Sequence, residues 1–166
     1  MNSRAISTAL RVMVPDPENG LPEEIFRAVT RLTPMINVDL LIKNRAGETL
    51  LTWREDPFFP PGWHVPGGII RFLESMHHRM EQVASLELGT RIRKKTEVID
   101  IHEFIFPELP YRNHFISLLC KCTLKAQPAR HLRWNGCGSP GHGQYAWFSV
   151  PPENMMKIHS VWRKWM

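Results

Sequence analysis

Apolar residues recur along the chain at different spacings, and each spacing predicts its own kind of element. In LPEEIFRAVTRLTP, Ile25, Phe26 and Val29 repeat at helical spacing. Pro22 and the acidic pair Glu23 and Glu24 suit a first helical turn there, and Pro34 ends it. MINVDLLIKN is apolar with one polar insertion and predicts a strand. Asn44-Arg45-Ala46-Gly47 then turns the chain, and ETLLTWRE returns as a hairpin partner. DPFFPPGW predicts a rigid proline-rich loop, and HVPGG a short strand closing on a glycine pair. SMHHRMEQVASLELG returns to helical spacing, with Met76, Met80, Val83, Ala84 and Leu88 on one face and Gly89 just past the end. TEVIDIHEFIF, NHFISLLCKCTL and YAWFSV predict strands, GSPGHGQ a flexible loop, and PENMMKIHSVWRKWM an amphipathic closing helix. No internal repeat interrupts this order, which predicts an α/β fold with a mixed sheet covered by helices.

The first 20 residues lack the patterning. Two prolines, a glycine and few large apolar side chains predict an extended or mobile arm, with residues 21–166 forming one domain. A hydrophobic fraction of 43% with 22% charged residues excludes wholesale disorder. No stretch approaches the roughly 18 consecutive apolar residues that cross a bilayer, so no membrane partner is expected. Cys120 and Cys122 lie two apart on a predicted strand and share a face, which makes both packing residues. With Cys137 they lack the usual structural-zinc spacing. Three cysteines without a secretory signal predict a reducing, cytoplasmic setting. The net charge of +5 favours anionic partners, phosphorylated metabolites included. The densest basic run, Arg91-Ile92-Arg93-Lys94-Lys95, predicts a solvated turn after a helix, and no nucleic-acid motif accompanies it.

Candidate chemistry concentrates in Gly68-x5-Glu74-x12-Glu87-x-Gly89. A glycine pair after a strand lets backbone amides and carbonyls approach a ligand closely. The helix that follows presents carboxylates, Glu74 at its start and Glu87 near its end. A carboxylate plus a backbone carbonyl beside a diphosphate is a magnesium-holding arrangement, because that ion keeps waters and takes phosphate oxygens as ligands. Glu74 is equally suited to the helix dipole. His77 and His78, adjacent on a helix, do not converge on one ion.

The segment resembles the Nudix box, G-x5-E-x7-R-E-U-x-E-E-x-G-U with U apolar. Gly68, Glu74, Glu87 and Gly89 fit it; Gln82 stands at the Arg, Val83 and Leu86 at two of the Glu positions. The pattern of losses is similar to the GDP-mannose mannosyl hydrolase branch. The resembling run from about Glu24 to Gly89 includes Phe26, Arg31, Thr33-Pro34, Asp39, Asn44, Gly47-Glu48, Arg54 and Trp63-x-Val65-Pro66-Gly67-Gly68. His142-x2-Tyr145-x-Trp147 is similar to the segment carrying that branch's catalytic histidine. The resemblance is weaker between residues 91 and 135.

The resemblance implies an α/β/α sandwich around a mixed sheet, a homodimer, and a magnesium- or manganese-dependent hydrolase. Its substrate would be a nucleotide sugar such as GDP-mannose, cleaved at the anomeric carbon to free sugar and nucleoside diphosphate. It also implies the roles. The Gly67 carbonyl and Glu87 would hold the metal, with Glu74 a further candidate, and His142 would be the general base on a loop that closes over substrate. Arg54 would pair with a phosphate oxygen, Asp39 would contact the sugar or orient Arg54, and Phe26 would stack on a base across the dimer interface. Trp63 either lines the sugar pocket or packs in the core. Met155, Met156, Trp162 and Trp165 are expected in core or dimer contacts.

Three positions depart from that branch: Ile69 replaces an Arg, Gly141 a Gln and Phe115 a Tyr. Arg71, or Arg112 with His114, are the candidates to compensate. The rival readings are diphosphate cleavage at phosphorus and a non-catalytic nucleotide-sugar-binding domain.

Overall fold

The computed structural model describes residues 2–166. Its elements run α1 (Ser3–Met13), α2 (Glu23–Val29), β1 (Met35–Ile42), β2 (Thr49–Arg54), β3 (Gly62–His64), β4 (Gly67–Ile69), α3 (Met76–Leu88), β5 (Glu97–Ile105), β6 (His114–Cys122) and β7 (Tyr145–Phe148). A 3-10 helix, Lys157–Trp165, closes the chain. Among the described residues no helix is long and apolar enough to cross a membrane.

The strands form two sheets, a mixed β4-β1-β6-β5 sheet and an antiparallel β3-β2-β7 sheet. β1 runs parallel to β6, with Asp39 opposite Leu119, and antiparallel to β4, with Asp39 opposite Gly67. Side chains alternate along β1. Val38, Leu40 and Ile42 pack with Met80, Val83, Ala84 and Leu88 of α3 in one buried cluster. Leu41 joins Trp53, Trp63, Phe104, Phe115 and Trp162 in a second. Both strand faces are covered, which accounts for the nearly continuous apolar run. Asn37 and Asp39 are polar interruptions on the same strand, and both line the cavity described below.

α3 begins at Ser75, whose hydroxyl accepts the His78 N–H at 3.1 Å, and ends at Gly89, whose φ of 62° only glycine adopts without strain. Cys120 and Cys122 are buried and free.

Three expectations are corrected. Residues 3–13 are α-helical rather than extended: Asn2 caps the helix by accepting the Ala5 N–H at 2.9 Å, and none of its residues is buried. β1 and β2 are not a continuous hairpin. One bridge, Lys43 to Thr49, joins them beyond the Asn44–Gly47 turn, and β2 then pairs with β3 and β7. β2 is apolar and buried on both faces, so it takes neighbours in a sheet of its own. The closing segment is a 3-10 helix that starts only at Lys157. Its three-residue period eclipses side chains at i and i+3, which stacks His159, Trp162 and Trp165 on one edge.

Candidate functional site

Glu87 lies in the last turn of α3, half-buried, with its carboxylate turned toward β2 and the glycine pair. One carboxylate oxygen is 3.2 Å from the Thr52 hydroxyl, and the Gly67 N–H bonds the same carboxylate. Burial raises this carboxyl to about 7, against the opposing pull of Thr52, Arg54 and the Gly67 N–H. Thr52 Oγ1 is also 2.9 Å from Nε2 of His64. The other ring nitrogen of His64 lies 2.8 Å from the Val65 carbonyl, which can only accept, so Nδ1 carries the hydrogen. Burial, reinforced by His159 and Arg54, depresses His64 well below its ordinary value and keeps it neutral. The hydroxyl of Thr52 has one hydrogen and therefore serves His64 or Glu87, not both.

Gly67 sits against Asp39 so closely that a Cβ there would collide with Asp39 Oδ1 and come within 2.7 Å of the Val38 carbonyl. Only glycine places the backbone of β4 in this cradle. Asp39 is buried, and its Oδ2 accepts from Ser117 Oγ at 2.6 Å and Trp162 Nε1 at 2.8 Å. It ties β1, β6 and the closing helix together and does not hold Arg54.

Arg54 pairs instead with Asp56, at 3.1 Å, and the same carboxylate oxygen is 3.7 Å from Arg112. The Asp56 side chain is only 3% exposed and also accepts the Phe58 N–H at 2.9 Å. Arg54 and Arg112 line one polar cavity of about 80 Å³ together with Asn37, Asp39, His64 and His159. Its remaining wall includes Gly67, Gly68, Ile69 and Phe115. His159 Nδ1 is buried there without a hydrogen-bond partner, its ring edge-on to His64 at 5.4 Å. Burial lowers the pKa of His159 as well.

His142 lies beside this group at the end of β2. Its Nδ1 accepts the Glu55 N–H at 3.2 Å, which leaves Nε2 free of protein partners. The loop is stitched to Trp53 of β2 by two backbone bonds, Gly143 N to the Trp53 carbonyl at 2.8 Å and Trp53 N to the Gln144 carbonyl at 2.7 Å.

Four expected site residues fall elsewhere. The Glu74 carboxylate is taken by Arg79 and the Arg71 N–H, and α3 separates it from Glu87 by about 17 Å of helical rise. Trp63 is 2% exposed and packs against Trp53, Trp134 and Phe148, so it belongs to the core. Phe26 and Arg71 line a different, larger and mostly apolar cavity of about 1000 Å³ on the other side of β4. Val83 is buried against β1, and Leu86 is exposed. Glu87 is thus the one carboxylate of the helix at the glycine cradle. Among the described residues no cluster of three or more His, Cys, Asp or Glu forms.

Thr52, Asp56, His64 and His159 were absent from the sequence assignment. Asp56, two residues beyond Arg54, and His64, directly before Val65-Pro66-Gly67-Gly68, had positional signals. His159 had none at helical spacing.

No family model matches the chain. A 76-residue stretch, 46% of the chain, is 32% identical to the low-salt glycan biosynthesis protein Agl8 of Haloferax volcanii, and spans about half of that relative (48%). Among solved structures, the MutT NUDIX hydrolase from Burkholderia pseudomallei aligns at a TM-score of 0.64 and 17% identity, over 80% of this chain and 97% of its own. A NUDIX hydrolase from Nitrosomonas europaea aligns at 0.54 and 14% identity, over 70% and 73%. The chain has the Nudix fold.

Proposed function

We propose that the protein hydrolyses a nucleotide sugar, GDP-mannose or a relative, at the anomeric carbon of the sugar, releasing nucleoside diphosphate. The observation that carries this reading is the single helix carboxylate, Glu87, at the Gly67 cradle. Attack at phosphorus calls for a metal-bound water aimed by several acidic ligands. Attack at carbon needs only a stabilised leaving group and a base near the sugar. The likeness of a 76-residue stretch to a glycan biosynthesis protein supports a sugar-linked substrate.

The donor set fits a magnesium or manganese ion. Burial leaves Glu87 reluctant to carry charge without a cation beside it, and glycine alone brings the β4 backbone this near. Glu87 and the Gly67 carbonyl would hold the ion, which would neutralise the departing diphosphate. Arg54, braced by Asp56, binds a phosphate oxygen. His142 takes the proton of the attacking water at Nδ1, once the Glu55 N–H has let that atom go. A homodimer belongs to the same proposal.

The test is incubation with GDP-, UDP- and ADP-sugars and magnesium, with products separated by anion exchange. Nucleoside diphosphate plus free sugar is the expected outcome. Nucleoside monophosphate plus sugar phosphate overturns carbon attack, and ligand binding without any product overturns the enzyme reading.

A further inference from the structure

We propose that Arg54 and Arg112, bracketing the buried Asp56 carboxylate, form a two-guanidinium anion site that takes a diphosphate, with Arg112 as the residue that sets its affinity. One carboxylate stands between two permanent cations. Arg54 approaches it to 3.1 Å, but Arg112 stays at 3.7 Å, beyond hydrogen-bond reach. Among the described residues no hydrogen bond ends on the Arg112 guanidinium, although the side chain is only 30% exposed. A guanidinium with five N–H donors therefore lines a polar cavity without a hydrogen-bonded protein acceptor. Asp39 lines the same cavity but makes no bond to Arg112; its Oδ2 accepts from Ser117 and Trp162.

The backbone holds Arg112 in place. It has a φ of 54°, in the left-handed region that non-glycine residues rarely occupy. Its N–H donates to Thr30 Oγ1 at 3.3 Å. The preceding Tyr111 is wedged edge-on against Phe58 and capped by the Arg27 guanidinium. The corner is pinned from three sides, so the backbone that carries the guanidinium is placed before any ligand arrives. The cavity volume of about 80 Å³ suits one phosphoryl group of a diphosphate rather than a whole nucleotide, and Gly67 lies on its wall. The other candidates to bind anions here are engaged elsewhere. Arg71 lines the larger apolar cavity, and His114 pairs with Glu103 at 3.1 Å.

This inference rests on the functional reading only for the identity of the anion. Inorganic pyrophosphate is the probe, titrated calorimetrically into the full chain with and without magnesium. Arg112→Gly removes the guanidinium at a backbone position where glycine is at ease, and Arg112→Asn is a second variant that tolerates the same φ. Both are expected to melt as the parent does and to bind pyrophosphate at least about tenfold more weakly. Arg71→Gln is expected to bind as the parent does. Parent-like binding by folded Arg112→Gly or Arg112→Asn overturns the site, as does a parent chain that binds no pyrophosphate. Nucleotide-sugar assays separate the two proposals. Arg112-dependent pyrophosphate binding without turnover keeps the anion site and removes the reaction. Turnover with an unchanged KM in Arg112→Gly does the reverse.

Discussion

Glu74 and Arg79 meet twice at the start of α3: one Glu74 oxygen is 2.7 Å from Nε of Arg79 and 2.7 Å from a terminal guanidinium nitrogen. Both side chains are less than a tenth exposed. Burial alone would raise the Glu74 carboxyl, but the Arg71 N–H and the guanidinium outweigh it and hold the pKa below the usual range. Gln82 stands at the arginine position of the box pattern, and Arg79, three residues earlier on the same helix, supplies the cation instead.

A structural role for this pair predicts the outcome of Glu74→Gln. The substitution leaves Arg79 buried and unpaired, at a cost of about 3–5 kcal/mol. Thermal melting is expected to show the loss, while magnesium titration of the folded fraction stays at the parent value. The depressed pKa means that the pair's contribution is present above the ordinary carboxyl value and disappears as pH falls through the lowered one. Glu74→Gln is therefore expected to cost least in acid. A loss of metal affinity with no loss of stability would return Glu74 to the metal site.

Glu87 behaves oppositely. Its carboxyl is raised to about 7, so the folded chain binds the extra proton between the ordinary value and that pH. This group's contribution to the stability of the metal-free protein is expected to be full below the ordinary carboxyl value and to be lost as pH rises from there through about 7, by up to about 3 kcal/mol. Glu87→Gln is expected to flatten that slope and, without metal, to melt above the parent at pH 8. Added magnesium is expected to stabilise the parent at pH 8 and leave Glu87→Gln unmoved. A parent melting profile that is flat across pH 5–8 would contradict the buried, cation-seeking carboxylate.

The helical and strand periods carried most of the fold. α3, its glycine stop and the buried strand cores follow from spacing that survives any tertiary context, as do the packing roles of Cys120 and Cys122. The separation of β1 from β2 was not legible, because a tight polar turn between apolar strands has the same local signature whether or not pairing continues. His159 was hidden for a different reason. At 3.6 residues per turn it neighbours Trp162 but is turned about 120° from Trp165; at three per turn all share one edge. Asp39 was recognised as important, but its ties to Ser117 and Trp162 span 78 and 123 residues, which no local pattern encodes.

His142→Ala tests the base directly. The side chain makes one contact, at 3.2 Å, in an exposed loop. Its removal is expected to leave the melting temperature unchanged within error while lowering kcat about 10²-fold or more. KM is expected to stay near the parent value, because the loop remains stitched through backbone groups of residues 143 and 144. Parent-like kcat would remove His142 from the reaction and turn attention to His159, whose Nδ1 is buried without a partner on the polar cavity.

Trp162→Phe tests how the closing helix supports the site. Trp162 is 1% exposed, and its indole N–H is one of two donors to Asp39 Oδ2. Phenylalanine keeps most of the apolar packing but removes that donor from a buried carboxylate, at a cost of about 1.5–3 kcal/mol. Ser117→Ala removes the other donor. Either single variant leaves one bond to the same oxygen, whereas the double variant leaves none. The double loss is therefore expected to exceed the sum of the single losses by at least about 0.5 kcal/mol in denaturant unfolding. Because His159 shares the edge of the 3-10 helix with Trp162, Trp162→Phe is also expected to weaken pyrophosphate binding, whereas Ser117→Ala is not. Strict additivity would mean that Asp39 is satisfied by other groups. Equal effects of both variants on binding would mean that the helix edge does not position His159.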